Sequence, residues 1–186
     1  MEGSVGPVNQ FALVIYIPEP LGTFLDELRR ELAPGCNPRA HISVLPPRPL
    51  RQDWRPVCRL ARAVTARFAA FEVETGALQL FPQTQVLYLE LGRGAEQLKE
   101  MHAALNGKAL EFPEPYAYHP HITVVQNVPV EAIPYLRERA ACRWNQYSGP
   151  RAFLAESAAF VQNTAADRWL DLAQFRLGSG LSTRIT

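Results

Sequence analysis

The chain reads as an α+β fold, bilobal and internally duplicated, with two mainly antiparallel sheets flanked by helices around a central cleft. Three observations predict it. Strand-like and helix-like stretches are intermixed without the sustained βαβ spacing of a parallel sheet. The order helix, strand, helix, hairpin occurs twice, in halves of about 80 residues rather than in short repeats. The strand at the same place in each half carries the same phrase: His41-Ile42-Ser43-Val44, and eighty positions later His121-Ile122-Thr123-Val124. No Gly/Ser-rich linker divides the 186 residues, so a single domain over 1–186 is expected, with a polar, fraying tail from about 178.

Taken in order, Gln10 to Ile17 is a β-rich apolar run closed by Pro18 and Pro20, which predicts a buried strand. Leu21, Phe24, Leu25, Leu28 and Leu32 form one helical stripe, ended by Pro34-Gly35. The His41 strand follows and is expected to stop at Pro46-Pro47. Val57, Leu60, Ala61, Val64 and Phe68 mark a second helix, with Asp53 placed as its N-cap. Stretches from Glu72 to Phe81 and Gln85 to Leu91 predict a hairpin turning at Pro82-Gln83-Thr84. In the second half, a helix is expected from Ala95 to Leu110 with Leu98, Met101 and Leu105 inward. A loop from Phe112 to Tyr118 leads to the His121 strand. The next helix spans Val130 to Cys142 with Ile133, Leu136 and Ala140 inward. Ala152 to Val161 and Trp169 to Leu177 predict the second hairpin, turning at Asn163 to Asp167.

Composition narrows the function classes. Lys plus Arg is 19 against 18 for Asp plus Glu, so the net charge of +1 excludes a protein that coats nucleic acid electrostatically. Only Lys99 and Lys108 are lysines; the remaining basic residues are Arg, the better bidentate partner for a phosphate. Cys36, Cys58 and Cys142 lack paired spacing, which argues against a disulfide framework and a cysteine-ligated zinc. The apolar run from Phe11 to Ile17 is too short for a signal core or a membrane span. A cytoplasmic monomer with no membrane partner is the expectation.

On a strand, side chains alternate faces, so His41 and Ser43 point one way while Ile42 and Val44 point the other, and the second copy repeats the pattern. Two such strands beside one cleft supply one imidazole to remove a proton and another to donate one. With unperturbed values near 6.5, two histidines can hold opposite protonation states near neutrality. The neighbouring hydroxyls can donate to oxygens on which charge builds in a transition state. That set suits phosphoester or acyl hydrolysis without a metal or other cofactor.

The stretches Ala40-His41-Ile42-Ser43-Val44-Leu45-Pro46 and Tyr118-His119-Pro120-His121-Ile122-Thr123-Val124 resemble the two-histidine (2H) phosphoesterase superfamily, which includes bacterial 2'-5' RNA ligases and cyclic nucleotide phosphodiesterases. The element order fits the resemblance over roughly residues 10 to 177. It implies His41 and His121 as the catalytic pair, with Ser43 and Thr123 bonding phosphate oxygens. It also implies cyclic phosphodiesterase or 2'-5' ligase-like activity on a small nucleotide or an RNA terminus bearing a 2',3'-cyclic phosphate. In opening to a 2'-phosphate, His121 is assigned as base and His41 as acid. The superfamily's RNA-processing branch often has an Arg soon after the second motif; Val125-Gln126-Asn127 stands there instead. A binding module of the same fold, recognising an RNA end or nucleotide without turnover, is the reading from a different class.

Further substrate contacts are expected from Arg39, which shares the parity of His41, from Arg48, from Tyr118 and from His119, which shares the parity of His121. His119 also reads as a solvent-facing loop residue. Tyr116, Trp54 and Phe81 can stack a base, although packing or a plain surface position is the better explanation of each. A metal held by His41, His119 and His121 lacks a carboxylate or cysteine at ligand spacing. Thr123 in the third place excludes a His-x-His-x-His triad. His102 reads as a residue on the flank of its helix.

Overall fold

A computed structural model describes residues 6–36 and 39–178; the expected tail lies outside the described residues. The chain folds as a curled, eight-stranded antiparallel sheet in the order β6-β3-β4-β5-β2-β1-β7-β8. The strands are β1 (Pro7–Tyr16), β2 (His41–Arg48), β3 (Phe71–Phe81), β4 (Val86–Leu91), β5 (His121–Val125), β6 (Ala152–Ala155), β7 (Ser157–Thr164) and β8 (Trp169–Arg176). The helices are α1 (Leu21–Leu32), α2 (Trp54–Thr65), α3 (Ala95–Leu105) and α4 (Ile133–Gln146). None of the described helices is long and apolar enough to cross a membrane.

The sheet is two four-stranded lobes, β6-β3-β4-β5 and β2-β1-β7-β8, joined at a seam between the two histidine strands. The lobes are not the two halves of the sequence. The hairpin that follows the first motif, β3–β4, joins the strand of the second motif; the later hairpin, β7–β8, joins β1, which in turn pairs with the strand of the first. α1 and α4 back the β5 lobe, and α2 and α3 back the β2 lobe. Ile42 and Ile122, both 0% exposed, meet in one apolar core with Leu25, Leu28, Leu98, Met101 and Val57. Burial of this face ties helix stripes to alternating strands across both lobes.

Three elements depart from their sequence reading. β2 does not stop at Pro46-Pro47 but runs on to Arg48, through a register shift between Phe11 and Leu13 of β1. A proline interrupts a strand where its missing N–H would be needed. Beyond Ile42, the edge of β2 turned toward β5 pairs with no further strand residue among those described, so that cost does not arise. α3 ends at Leu105 and continues only as a 3-10 turn at Lys108–Leu110. Asn106 breaks it, because its side chain accepts from Arg48 and from the Phe112 amide. The strand expected from Ala152 to Val161 is two: β6 pairs with β3, Glu156 intervenes, and β7 pairs with β1 and β8. The chain thereby crosses from one lobe to the other within one residue.

Candidate active site

The seam explains why the motif is alternating. β2 and β5 pair antiparallel at Ile42↔Ile122, so in continuous register His41 lies opposite Thr123 and Ser43 opposite His121. With Ile42 and Ile122 in the core, all four polar side chains stand on the opposite, helix-free face, each half-buried. Neighbouring strands extend the pattern: Tyr16 is paired with His41 and Val14 with Ser43 on one side, Tyr88 with Thr123 and Glu90 with His121 on the other. Diagonal partners across an antiparallel pair are about 7–8 Å apart. His41 and His121 stand on that diagonal, and the hydroxyls of Ser43 and Thr123 occupy the other.

Both imidazoles are held the same way. Nδ1 of His41 bonds the Arg39 carbonyl at 2.7 Å, and Nδ1 of His121 bonds the His119 carbonyl at 2.7 Å. A carbonyl only accepts, so Nδ1 carries the hydrogen in each ring. Nε2 is left to exchange protons on the open face, which is the arrangement a general acid or base needs. Burial holds both rings below the ordinary 6.5, the bonds to Arg39 and His119 opposing it. The charges of Arg29 and His121 press His41 further down, while Asp26 opposes them. His119 adds to the effect on His121.

Around His121 the surface is aromatic. Phe81 stacks on Tyr88 with ring centroids 3.9 Å apart, and His121 meets their edges at 5.0 and 5.3 Å. His119 packs on the same pair at 5.3 and 5.5 Å, with its ring 6.4 Å from that of His121. Beside His41 the surface is polar. The Arg39 guanidinium lies 3.3 Å over the Tyr16 ring and donates to Asp171 at 2.8 Å; the Tyr16 hydroxyl donates to the other oxygen of Asp171 at 2.5 Å. Burial and that bond push the Tyr16 phenol up.

Two of the expected substrate contacts lie elsewhere. Arg48 is 2% exposed, and its guanidinium donates to Pro46, Asn106 and Leu110 and pairs with Glu114. Every arm is committed to backbone or to the loop after α3, so Arg48 is a structural residue rather than a phosphate grip. Replacing it with Met removes the guanidinium that pairs with the half-buried Glu114 carboxylate and is expected to cost ~3–5 kcal/mol in urea unfolding. Tyr118 is similarly turned inward: its ring stacks on His102 at 3.8 Å, and its hydroxyl donates to the Ser43 carbonyl at 2.9 Å. It therefore touches the site through backbone. Tyr116 is exposed at 58% in the loop before the second motif, and Trp54 lines a groove with Pro7, Asn9 and Leu50 at the other end of β1.

Arg29 and Asp26 drew no notice in the sequence, and His102, read as a flank residue, is buried instead. Arg29 donates to the Thr123 carbonyl at 3.2 Å, and Asp26 accepts from the Ala40 amide at 2.6 Å. His102 is buried, with Nδ1 2.8 Å from the Val44 carbonyl and Nε2 3.4 Å from Glu114. In the sequence these were a helix stripe's polar neighbours; only the ends of Tyr16 and Tyr88, each one strand away from a motif, carried a signal by parity. Among the described residues, no group of three His, Cys, Asp or Glu could hold a metal ion.

Known structures share this fold. A crystal structure of TT0787 of Thermus thermophilus superposes with a TM-score of 0.64 at 17% identity, covering 92% of this chain and 100% of that one. Escherichia coli LigT complexed with NADP+ gives 0.64 at 14%, covering 91% and 98%. LigT complexed with 3'-AMP gives 0.61 at 13%, again covering 91% and 98%. No curated protein matches the sequence. The model of the 2'-5' RNA ligase superfamily matches residues 17–167, a span that includes both histidine strands and every helix. On that match the chain is a member of the 2'-5' RNA ligase superfamily.

Proposed function

We propose that this chain is a metal-independent phosphoesterase that opens 2',3'-cyclic phosphates, or cleaves and reversibly forms 2'-5' phosphodiester bonds, at the end of a nucleotide or short RNA. One observation carries the reading: two imidazoles with identically fixed tautomers stand diagonally across a seam, with a hydroxyl between them on either side. In opening a cyclic phosphate, Nε2 of His121 takes a proton from water, and the oxygen attacks phosphorus in line. The bond from phosphorus to O3' breaks, and Nε2–H of His41 delivers a proton to O3', leaving a 2'-phosphate. Ser43 and Thr123 donate to the nonbridging oxygens, where the additional charge develops. Arg39 stands two residues before the acid and is already oriented by Asp171, which suits it to a second anionic group of the substrate. His119 offers an edge of the Phe81–Tyr88 platform to a base. That LigT has been obtained with 3'-AMP and with phosphate supports a nucleotide ligand. The working form is proposed to be a cytoplasmic monomer.

Incubation with 2',3'-cyclic nucleotides in excess chelator tests the reading. Turnover to a nucleoside 2'-phosphate, unchanged by chelator, is expected. Binding of the cyclic nucleotide with no product would make the protein a recognition module, and loss of turnover with chelator would replace acid–base chemistry with a metal reaction.

A further inference from the structure

We infer that Asp26 and Arg29 of α1, together with Tyr118, are positioning residues that fix the separation of the two histidine strands across the seam. The seam is the thinnest join in the sheet. β1 and β4 pair with their histidine strands over several residues, whereas β2 and β5 share the single pair Ile42↔Ile122 among those described. The distance between His41 and His121 depends on that join.

Backbone groups left over at a half-buried join must find other partners, and three side chains supply them. The Tyr118 hydroxyl donates to the carbonyl of Ser43 at 2.9 Å, and Arg29 donates to the carbonyl of Thr123 at 3.2 Å. The hydroxyl residue of each motif thus has its own carbonyl held from outside the sheet. Asp26 takes the amide of Ala40, immediately before His41, at 2.6 Å. Asp26 and Arg29 are three positions apart and share a helix face. One turn of α1 therefore grips β2 at the entrance to its motif and β5 in the middle of its own.

The grips are rigid ones. Arg29 is 8% exposed, so its charge-assisted bond is little contested by water. Tyr118 lies three residues ahead of His121, and its ring is parallel to that of His102 within 3°; His102 in turn bonds the Val44 carbonyl at 2.8 Å. The lead-in to the second motif is thereby fastened to two successive carbonyls of the first. Each grip joins elements that would otherwise part along the seam, while none of the three side chains is offered to substrate.

The kinetic consequence rests on the proposed reaction. In-line attack and departure need acid and base at a fixed span, and a misplacement of about 1 Å costs on the order of 10²-fold in rate. Tyr118→Phe removes one hydroxyl and keeps the stacked ring; Arg29→Met removes the donor, and Arg29→Lys returns one. In Tyr118→Phe and Arg29→Met, kcat for a 2',3'-cyclic nucleotide is expected to fall by about 10–100-fold with KM nearly unchanged, and Arg29→Lys is expected to recover part of it. Amide hydrogen exchange over 41–44 and 121–124 is expected to quicken, while β7–β8 exchanges as in the unaltered protein. Unaltered exchange across the seam in both variants overturns the inference, as does an unchanged kcat in an active enzyme. Should the unaltered protein show no turnover, the proposed reaction falls and exchange alone decides the brace. If Arg29→Met does not fold, Tyr118→Phe decides it by the same two readings.

Discussion

Alanine at His41 or His121 is expected to lower kcat for cyclic phosphate hydrolysis by ~10²–10⁴-fold, the usual worth of a positioned acid or base. The two losses are not expected to add. With either partner gone, the proton cycle is broken, so the double variant should sit close to the worse single one. Binding of a nucleoside 2'-phosphate should suffer far less, because Ser43, Thr123 and Arg39 remain. His119→Asn provides the comparison on the same aromatic platform: its carbonyl still accepts from His121 Nδ1, so it should cost less than about tenfold. Steady-state kinetics on purified variants with matched melting temperatures check all four. Single variants that retain full activity would remove the pair from the chemistry.

The second large effect is on pH. Burial lowers the proton affinity of both histidines from the ordinary 6.5. The active form carries one proton between them, and its population peaks midway between the two apparent values of the pair. Both values lie below 6.5, so kcat/KM is expected to peak on the acid side of 6.5 and to fall as pH rises through neutrality. A cyclic phosphodiester keeps its single charge throughout, so the limbs belong to the enzyme. In the complex the bound anion stabilises an imidazolium, so the kcat profile should move to higher pH than that of kcat/KM. Stability follows with a definite sign. Between the folded values and 6.5 the unfolded chain binds more protons, so the contribution of these histidines is complete above 6.5 and is lost as pH falls through the folded values. Replacing both with Gln should flatten the decline in melting temperature between pH 7 and pH 5. A kcat/KM optimum well above 7 would contradict the buried-pair reading.

How far the sequence carries is clearest at the seam. The period of two in His41-Ile42-Ser43-Val44 is a local property of a strand, so the faces of both motifs were legible without knowing any neighbour. The α+β class followed from the same periodicities. What was not legible depends on partners far along the chain. The apolar residues on both sides of Glu156 give no sign that Ala152–Ala155 and Ser157–Thr164 belong to different lobes. Arg48 and Arg39 look alike beside a motif; one meets buried carbonyls and Glu114, the other meets the face of Tyr16 and an exposed Asp171. An arginine's use is decided by which acceptors the fold brings to it, and those lie up to 132 positions away. His102 and Tyr118 were separated for the same reason: their stacking joins α3 to a loop that periodicity leaves unplaced.

A crystal structure with a nucleoside 2'-monophosphate bound tests the central claim most directly. The account predicts the phosphate on the seam, between Nε2 of His41 and Nε2 of His121, with the Ser43 and Thr123 hydroxyls on its oxygens and no metal bridging it. A phosphate seated elsewhere on the molecule, with the two imidazoles turned from it, would contradict the account.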